Sequence, residues 1–278
     1  MMLENSWRFS KLSYGLIWKN KKLLIFPLLS GIAEIFILAS FIIPFFLTLQ
    51  GGTGNILASA GFYIVLFIFY FVTNAIVLIF NTGLIACVFK ILHGYNPSLG
   101  YGLSFAFKRL PQIISWSILS AVISVILNAL EKNETISSLV TGILGVTWSA
   151  ITYFVVPVIV MNGLGPIGAI KRSGETLRST WGKALIGNFS LKIIGFLLLL
   201  PVLILLGIGL FFAINAGSPV GIGVVAGLGV LAFIVDYLLT EAVNSVFKCY
   251  LFVYATDREV LDEGYTEAFA DAFCPKRR

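Results

Sequence analysis

The sequence predicts an all-α membrane protein, a polytopic bundle of six transmembrane helices. The 278 residues are 58% hydrophobic and only 12% charged, with a mean hydropathy of +0.98, whereas a soluble globular domain carries roughly 25% charge. Apolar runs longer than the roughly 18 residues that suggest a transmembrane helix recur along the chain. All Lys and Arg residues except Lys132 lie on one side of these runs.

The apolar runs pair up along the chain. The first two are separated by a Gly-rich loop, the third and fourth by a short polar loop, and the fifth and sixth by a loop that contains a Ser-Pro dipeptide. Each run can cross a hydrocarbon core of roughly 30 Å as a helix, at about 1.5 Å per residue. Strands and soluble core helices are shorter than these runs. We predict spans at about 23–49, 60–89, 111–130, 135–161, 184–212 and 219–250.

The basic residues indicate the orientation of the bundle. The loops at 50–59, 131–134 and 213–218 together contain one Lys. The other connections and both termini contain all the remaining Lys and Arg residues except Lys192 and Lys248, which lie within spans. Because basic segments stay in the cytoplasm, we predict an inner-membrane protein with both termini cytoplasmic. Its net charge of +6 then meets anionic lipid head groups. The basic residues are dispersed, which excludes the compact basic stripe of a nucleic-acid-binding surface.

A basic, amphipathic segment precedes each pair of spans. The three segments begin near Ser6, Pro97 and Pro166. Since each unit contains an even number of spans, successive repeats run parallel rather than inverted. We predict a membrane domain at 1–255, with repeats at about 1–90, 91–164 and 165–255, and a cytoplasmic tail at 256–278.

We expect the three segments to form cytoplasmic interfacial helices along the inner leaflet, with their apolar side chains in lipid. In the third segment Glu175 and Arg178 are three residues apart, a spacing that permits an ion pair. A lipid-anchoring collar is one interpretation, and a partner-docking or gating surface is the other. The predicted anchors are Trp18, Lys108, Arg109, Lys171, Arg172, Arg178 and Trp181.

The run from Val155 to Gly182 carries a family resemblance. It reads Val-Val-Pro-Val-Ile-Val-Met-Asn-Gly-Leu-Gly-Pro-Ile-Gly-Ala-Ile-Lys-Arg-Ser-Gly-Glu-Thr-Leu-Arg-Ser-Thr-Trp-Gly. It resembles a signature of uncharacterised prokaryotic six-span membrane proteins, grouped as a domain of unknown function. The span order is distantly similar to that of YciC-like inner-membrane proteins and of membrane domains found with some glycerophosphodiesterases. The resemblance implies a fold and a location, and it implies no reaction.

Charged residues inside the spans are the strongest indication of a functional site, because charge in a bilayer is costly and usually functional. Asn74 and Asn81 share a face of the second span, seven residues apart, and Asp236 lies about 140° around the sixth helix from Glu241. These groups either fix helix packing through ion pairs and amide hydrogen bonds, or line a cation site or a wet vestibule. The candidate residues are Glu34, Asn74, Asn81, Lys192, Asp236 and Glu241.

Catalytic chemistry has little support in the sequence. The single histidine, His93, has no clustered Cys or carboxylates for a metal site, and no nucleophile elbow or phosphate-binding loop is present. We therefore expect a protein that is not an enzyme and uses no cofactor. The leading hypothesis is channel-like or transporter-like passage of a small solute or ion through a homo-oligomer or a central cavity. The alternative is a non-catalytic scaffold that binds lipid or a partner.

The predicted orientation is testable with reporter fusions. A fluorescent protein fused after Arg278 should fluoresce, because that end should lie in the cytoplasm. Alkaline phosphatase inserted within 50–59 should be active, because it folds only outside the cytoplasm. Active phosphatase at the C-terminus would contradict the orientation.

Overall fold

The chain is all-α wherever the structure describes it. The computed structural model describes the backbone of 2–50, 60–131 and 138–256, and the side chains of 11–42, 61–131, 140–179 and 199–256. These ranges contain helices and short turns and no strand. The predicted loops at 50–59 and 131–134 and the tail lie largely outside them. The helices are α1 (Met2–Lys19), a 3₁₀ turn (Lys21–Leu24), α2 (Ile25–Gln50), α3 (Ala60–Leu92), α4 (Leu99–Lys108), α5 (Leu110–Glu131), α6 (Ser138–Ile151), α7 (Val155–Asn162), α8 (Pro166–Asn215) and α9 (Pro219–Thr256).

Five helical stretches in the described part of the chain are long and apolar enough to cross a membrane. The all-α prediction is therefore confirmed, and the long apolar helices indicate a membrane protein. The predicted span at 184–212 lies within α8; most of its first half falls among side chains that are not described, and Leu199–Asn215 is a shorter apolar helix. The five stretches are Lys21–Ile42, Gly61–Leu92, Leu110–Glu131, Val140–Asn162 and Pro219–Thr256.

The predicted fourth span is broken into α6 and α7 by a turn at 152–154. Pro157 explains the break, because proline has no N–H to donate and its ring clashes with the carbonyl one turn earlier. The backbone N–H of Phe154 instead donates to Oγ of Ser173 on α8, at 2.9 Å. Earlier in the chain, the Trp116 and Trp148 rings stack at 5.8 Å and join α5 to α6.

The three predicted amphipathic segments lie in α1, in α4 and in the first turns of α8. The first two end at a break, at Asn20 and at Arg109, before the next helix begins. The third differs, because α8 runs for 50 residues without a break from the amphipathic segment into the apolar run. At about 1.5 Å per residue, α8 is roughly 75 Å long.

The buried core lies at the end of the bundle where the basic residues cluster. It includes 84–88 near the end of α3, 242–254 near the end of α9, and most of α7. The amphipathic segments complete it, since each buries one face: Leu16 and Ile17 in α1, Ala106 in α4, and Ala169 and Leu177 in α8. The described side chains at 199–215 of α8 and those of the first half of α9 are largely exposed, as expected for surfaces that face lipid.

α3 and α4 approach each other closely in the buried core through two glycines. A methyl group added at Gly102 would lie 2.7 Å from the Gly83 carbonyl oxygen, 2.6 Å from Cζ of Phe26 and 2.8 Å from Sγ of Cys87. A methyl group at Gly83 would lie 2.7 Å from the same Phe26 ring. Because real Cβ contacts are longer than this, both positions require glycine. The Phe26 ring, buried at the start of α2, fills the space beside the crossing.

Gly102→Ala should destabilise the protein by about 1–3 kcal/mol, because an added methyl group has no room between α3 and α4. Gly100→Ala is the matched control on the same helix, where the nearest atom is Oγ of Ser98 at 3.9 Å. That variant should be neutral or stabilising by up to about 1 kcal/mol. Thermal unfolding of both variants in detergent measures the difference. Equal effects at the two positions would show that the crossing is not tight.

Candidate functional site

Three of the predicted polar residues meet in one small cavity. Glu34 on α2, Asn81 on α3 and Glu241 on α9 line a space of about 100 Å³. Ser30 and Tyr237 also line it. The cavity lies between helices that are long enough to cross a membrane, so it places two carboxylates from separate helices within the apolar part of the bundle.

Hydrogen bonds hold two of the polar side chains in place. Oγ of Ser30 donates to Oε1 of Glu34 at 2.9 Å, one helical turn away on α2. Oγ of Ser245 on α9 donates to Oδ1 of Asn81 on α3 at 2.9 Å. The second bond crosses between helices, so it fixes α9 relative to α3 beside the cavity. Such interhelical bonds contribute roughly 0.6 kcal/mol each in membrane proteins.

The electrostatic environment of the cavity is acidic. Neither Glu34 nor Glu241 forms an ion pair with a Lys or Arg side chain that the structure describes. Both carboxylates lie close enough to Tyr237 to interact with it electrostatically. Lys248, further along α9, has its Nζ 5.2 Å from the centre of the Tyr153 ring. The pocket therefore presents two acceptor groups and no described positive charge.

The other predicted polar residues lie elsewhere. The side-chain amide of Asn74 donates to the Tyr70 carbonyl of its own helix at 2.7 Å. Asp236 lies on the side of α9 that faces α1, near Tyr14. Burial of Tyr14 raises the pKa of its phenol above the usual value, and the Asp236 carboxylate raises it further by a smaller amount. This placement agrees with the angular separation of Asp236 from Glu241 expected along a helix. The Lys192 side chain lies outside the described residues, as does that of Trp181.

Sequence reasoning missed three contributors to the site: Ser30, Tyr237 and Ser245. Each lies four residues from a predicted carboxylate, Ser30 from Glu34, and Tyr237 and Ser245 from Glu241. Residues four apart share a helix face. The signal was therefore present in the spacing, and a search for polar or aromatic side chains one turn from each charge would have found them.

An apolar groove continues from the polar cavity. A cleft of about 320 Å³ between α2, α3 and α9 shares Glu34 and Tyr237 with the cavity and is otherwise lined mainly by aliphatic and aromatic side chains. It meets a second cleft of about 330 Å³ between α2 and α3, with Leu38 and Phe69 common to both. We call the two clefts together the apolar groove.

Most of the predicted interfacial anchors with described side chains are exposed. Trp18 is 71% exposed, and Nζ of Lys21 lies 4.8 Å from the centre of the Trp18 ring. Lys108, Lys171 and Arg178 are also exposed. Arg172 lies 3.5 Å from Glu175. The expected pairing of Glu175 with Arg178 is therefore replaced by pairing with Arg172, on the preceding turn.

Arg109 has a different environment from the other anchors. Its Nη2 donates to the Val160 carbonyl near the end of α7 at 3.4 Å, and its guanidinium lies against Gly163, where a side chain would collide with it. Gly163 has φ +64°, the left-handed conformation typical of a residue that ends a helix. Arg109 thus places a half-buried positive charge at the negative end of the α7 dipole.

The groups that line this cavity have the chemistry to bind a cation. Within the described part of the chain, no group of three or more His, Cys, Asp and Glu side chains is close enough to hold a metal ion. Two carboxylates, an amide and a phenol can bind a monovalent cation or an ammonium group through oxygen acceptors and an aromatic face.

These features define a helical membrane protein with a polar pocket among its apolar helices. The chain belongs to the family described as "Family of unknown function (DUF6159)", whose model matches residues 60–261. The match covers the helices from α3 to α9, including the Val155–Gly182 run. No curated protein matches the chain.

Replacing Arg109 should destabilise the fold, whereas replacing the adjacent Lys108 should not. Arg109→Gln removes the charge that satisfies the end of α7 and should lower the free energy of unfolding by about 1–2 kcal/mol. Lys108→Gln changes an exposed side chain and should stay within about 0.5 kcal/mol. Thermal unfolding in detergent, followed by tryptophan fluorescence, compares the two. A larger effect of Lys108→Gln would contradict the capping role.

Proposed function

We propose that this protein passes a small cation or cationic solute across the membrane. The observation that supports this is the convergence of Glu34, Asn81 and Glu241, from three helices, on one cavity. Carboxylates within membrane helices commonly mark ion and substrate pathways. A role in packing alone predicts pairing of these charges, and neither carboxylate pairs with a described basic side chain.

Two carboxylates that border one small cavity repel each other and lose hydration. Both penalties fall when a cation enters between them. The site therefore favours positive charge, and its volume of about 100 Å³ suits a small group. A site permits passage when it binds a cation strongly enough for the cation to enter and weakly enough for it to leave.

The finer organisation is part of the proposal. We propose that the protein has six spans and three cytoplasmic interfacial helices. We also propose that it lies in the inner membrane with both termini cytoplasmic and that it assembles as a homo-oligomer. It involves no catalysis, no cofactor and no nucleic acid, and the partners are lipids with anionic head groups. A prokaryotic origin and a distant relation to YciC-like and glycerophosphodiesterase-associated membrane domains belong to the same proposal.

A second candidate function is a membrane scaffold that binds lipid or a partner protein. It is favoured by the exposed apolar side chains of the amphipathic segments, Trp18, Phe107 and Ile167. Each lies near exposed basic residues, as in helices that sit at a lipid surface. This function leaves the carboxylate cavity without a role, so it ranks below cation passage.

Flux into proteoliposomes tests the proposal. Purified protein in vesicles should pass at least one member of a panel of protons, alkali cations and small amines faster than empty vesicles. Glu34→Gln and Glu241→Gln should each lower that rate at least about tenfold, because each removes a charge from the cavity.

Glu175→Gln is the matched control, because this glutamate is exposed and pairs with Arg172 outside the cavity. It should leave the rate unchanged. No flux above empty vesicles across the whole panel, or equal loss in all three variants, would reject cation passage.

A further inference from the structure

We propose that the cavity and the apolar groove together bind a single-chain amphiphile that carries an amino head group. The amine occupies the cavity between Glu34 and Glu241, and the chain lies in the groove between α2 and α3. This inference rests on the proposed function, because it names the class of cationic solute that the same site accepts.

The cavity and the groove are continuous. Glu34 and Tyr237 border both the polar cavity and the first cleft, and Leu38 and Phe69 border both clefts. From Glu34, where the amine binds, the groove follows α2 to Ile42, a helical rise of about 12 Å. This length holds the first part of an extended long fatty chain, and the rest of the chain lies among the surrounding lipid. A small inorganic ion would use the cavity and leave the groove empty.

The groove opens sideways, toward the surface that lipid covers. Ile35 on α2 is 59% exposed and Phe233 on α9 is 62% exposed, and both line the first cleft. A ligand dissolved in the bilayer therefore enters between α2 and α9 without crossing water. The polar end lies nearer the start of α2, the end with the buried core and the basic residues, so the head points that way.

Charge selects the head group. Glu34 and Glu241 both border the cavity, and no described Lys or Arg pairs with either. Phosphate and carboxylate head groups would be repelled, whereas an ammonium group gains two acceptors. The ring of Tyr237 lies at the junction of cavity and groove and offers an aromatic face, which attracts ammonium groups.

Binding in phosphatidylcholine nanodiscs, read by mass spectrometry of the intact complex, tests the inference. Hexadecylamine should bind stoichiometrically. Hexadecanol tests whether charge is needed, palmitate tests the sign of the charge, and butylamine tests the long chain. Each should bind at least about tenfold more weakly than hexadecylamine. Equal retention of hexadecanol, palmitate and hexadecylamine would identify annular lipid only and overturn the inference.

Two variants localise the site. Glu34→Gln should weaken hexadecylamine binding at least about tenfold, and Gly31→Leu should do the same by filling the first cleft, which Gly31 lines. Gly142→Leu is the control, because Gly142 is exposed on α6 and no atom lies within 4 Å of an added Cβ there. Unchanged binding in both site variants would place the ligand elsewhere and reject the assignment; the ligand series on the unaltered protein decides the class even if a variant misfolds.

Failure of this inference and failure of cation passage are distinguishable. Flux of small cations that depends on Glu34, without selective binding of hexadecylamine, would reject the amphiphile and keep the passage. Selective binding of hexadecylamine without flux of any cation would keep the ligand class and reject the passage.

Discussion

The structure depends on how closely α3 and α4 approach each other. At Gly83 and Gly102 the two backbones are so near that neither position has room for a methyl group, and the Phe26 ring fills the remaining space. Because Phe26 belongs to α2, this one contact fixes three helices at the same depth. Close packing through glycine is a general solution in membranes, where lipid supplies no hydrophobic force to push helices together. Here it lies within the buried core rather than in the lipid-facing half.

The carboxylate cavity inherits its geometry from that contact. Glu34 follows Phe26 by eight residues on α2, and Asn81 precedes Gly83 by two on α3. The depth of one relative to the other is therefore set by the same packing, and the Ser245–Asn81 hydrogen bond adds α9 and Glu241. A displacement of α4 at the Gly102 crossing would be transmitted to the cavity through α2 and α3. Stability at the core and geometry at the site are thus coupled.

The sequence predicts the fold class and the candidate residues better than their arrangement. Length and hydropathy identify the apolar helices, and the rarity of charge within them identifies Glu34 and Glu241. Their convergence was not predictable, because α2 and α3 carry only a few polar residues on otherwise apolar surfaces, and helices with so little polar contrast reveal little about which face points inward. Arg109 shows the same limit. It is adjacent to Lys108 in the sequence and is also basic, so the sequence does not distinguish the two residues. Its capping role depends on the end of α7, which the fold brings next to it.

The uninterrupted course of α8 has a mechanical consequence. A helix of roughly 75 Å is far longer than the 40–45 Å thickness of a whole bilayer, so one rigid rod joins the amphipathic segment that begins at Pro166 to the apolar run that ends at Asn215. The amphipathic segments in α1 and α4 end at breaks at Asn20 and Arg109, so each can change its angle to the helix that follows. In α8 the amphipathic segment and the apolar run turn together. A change in the tilt of the apolar run therefore moves the end of α8 that begins at Pro166, and the Ser173–Phe154 bond carries that movement to α7.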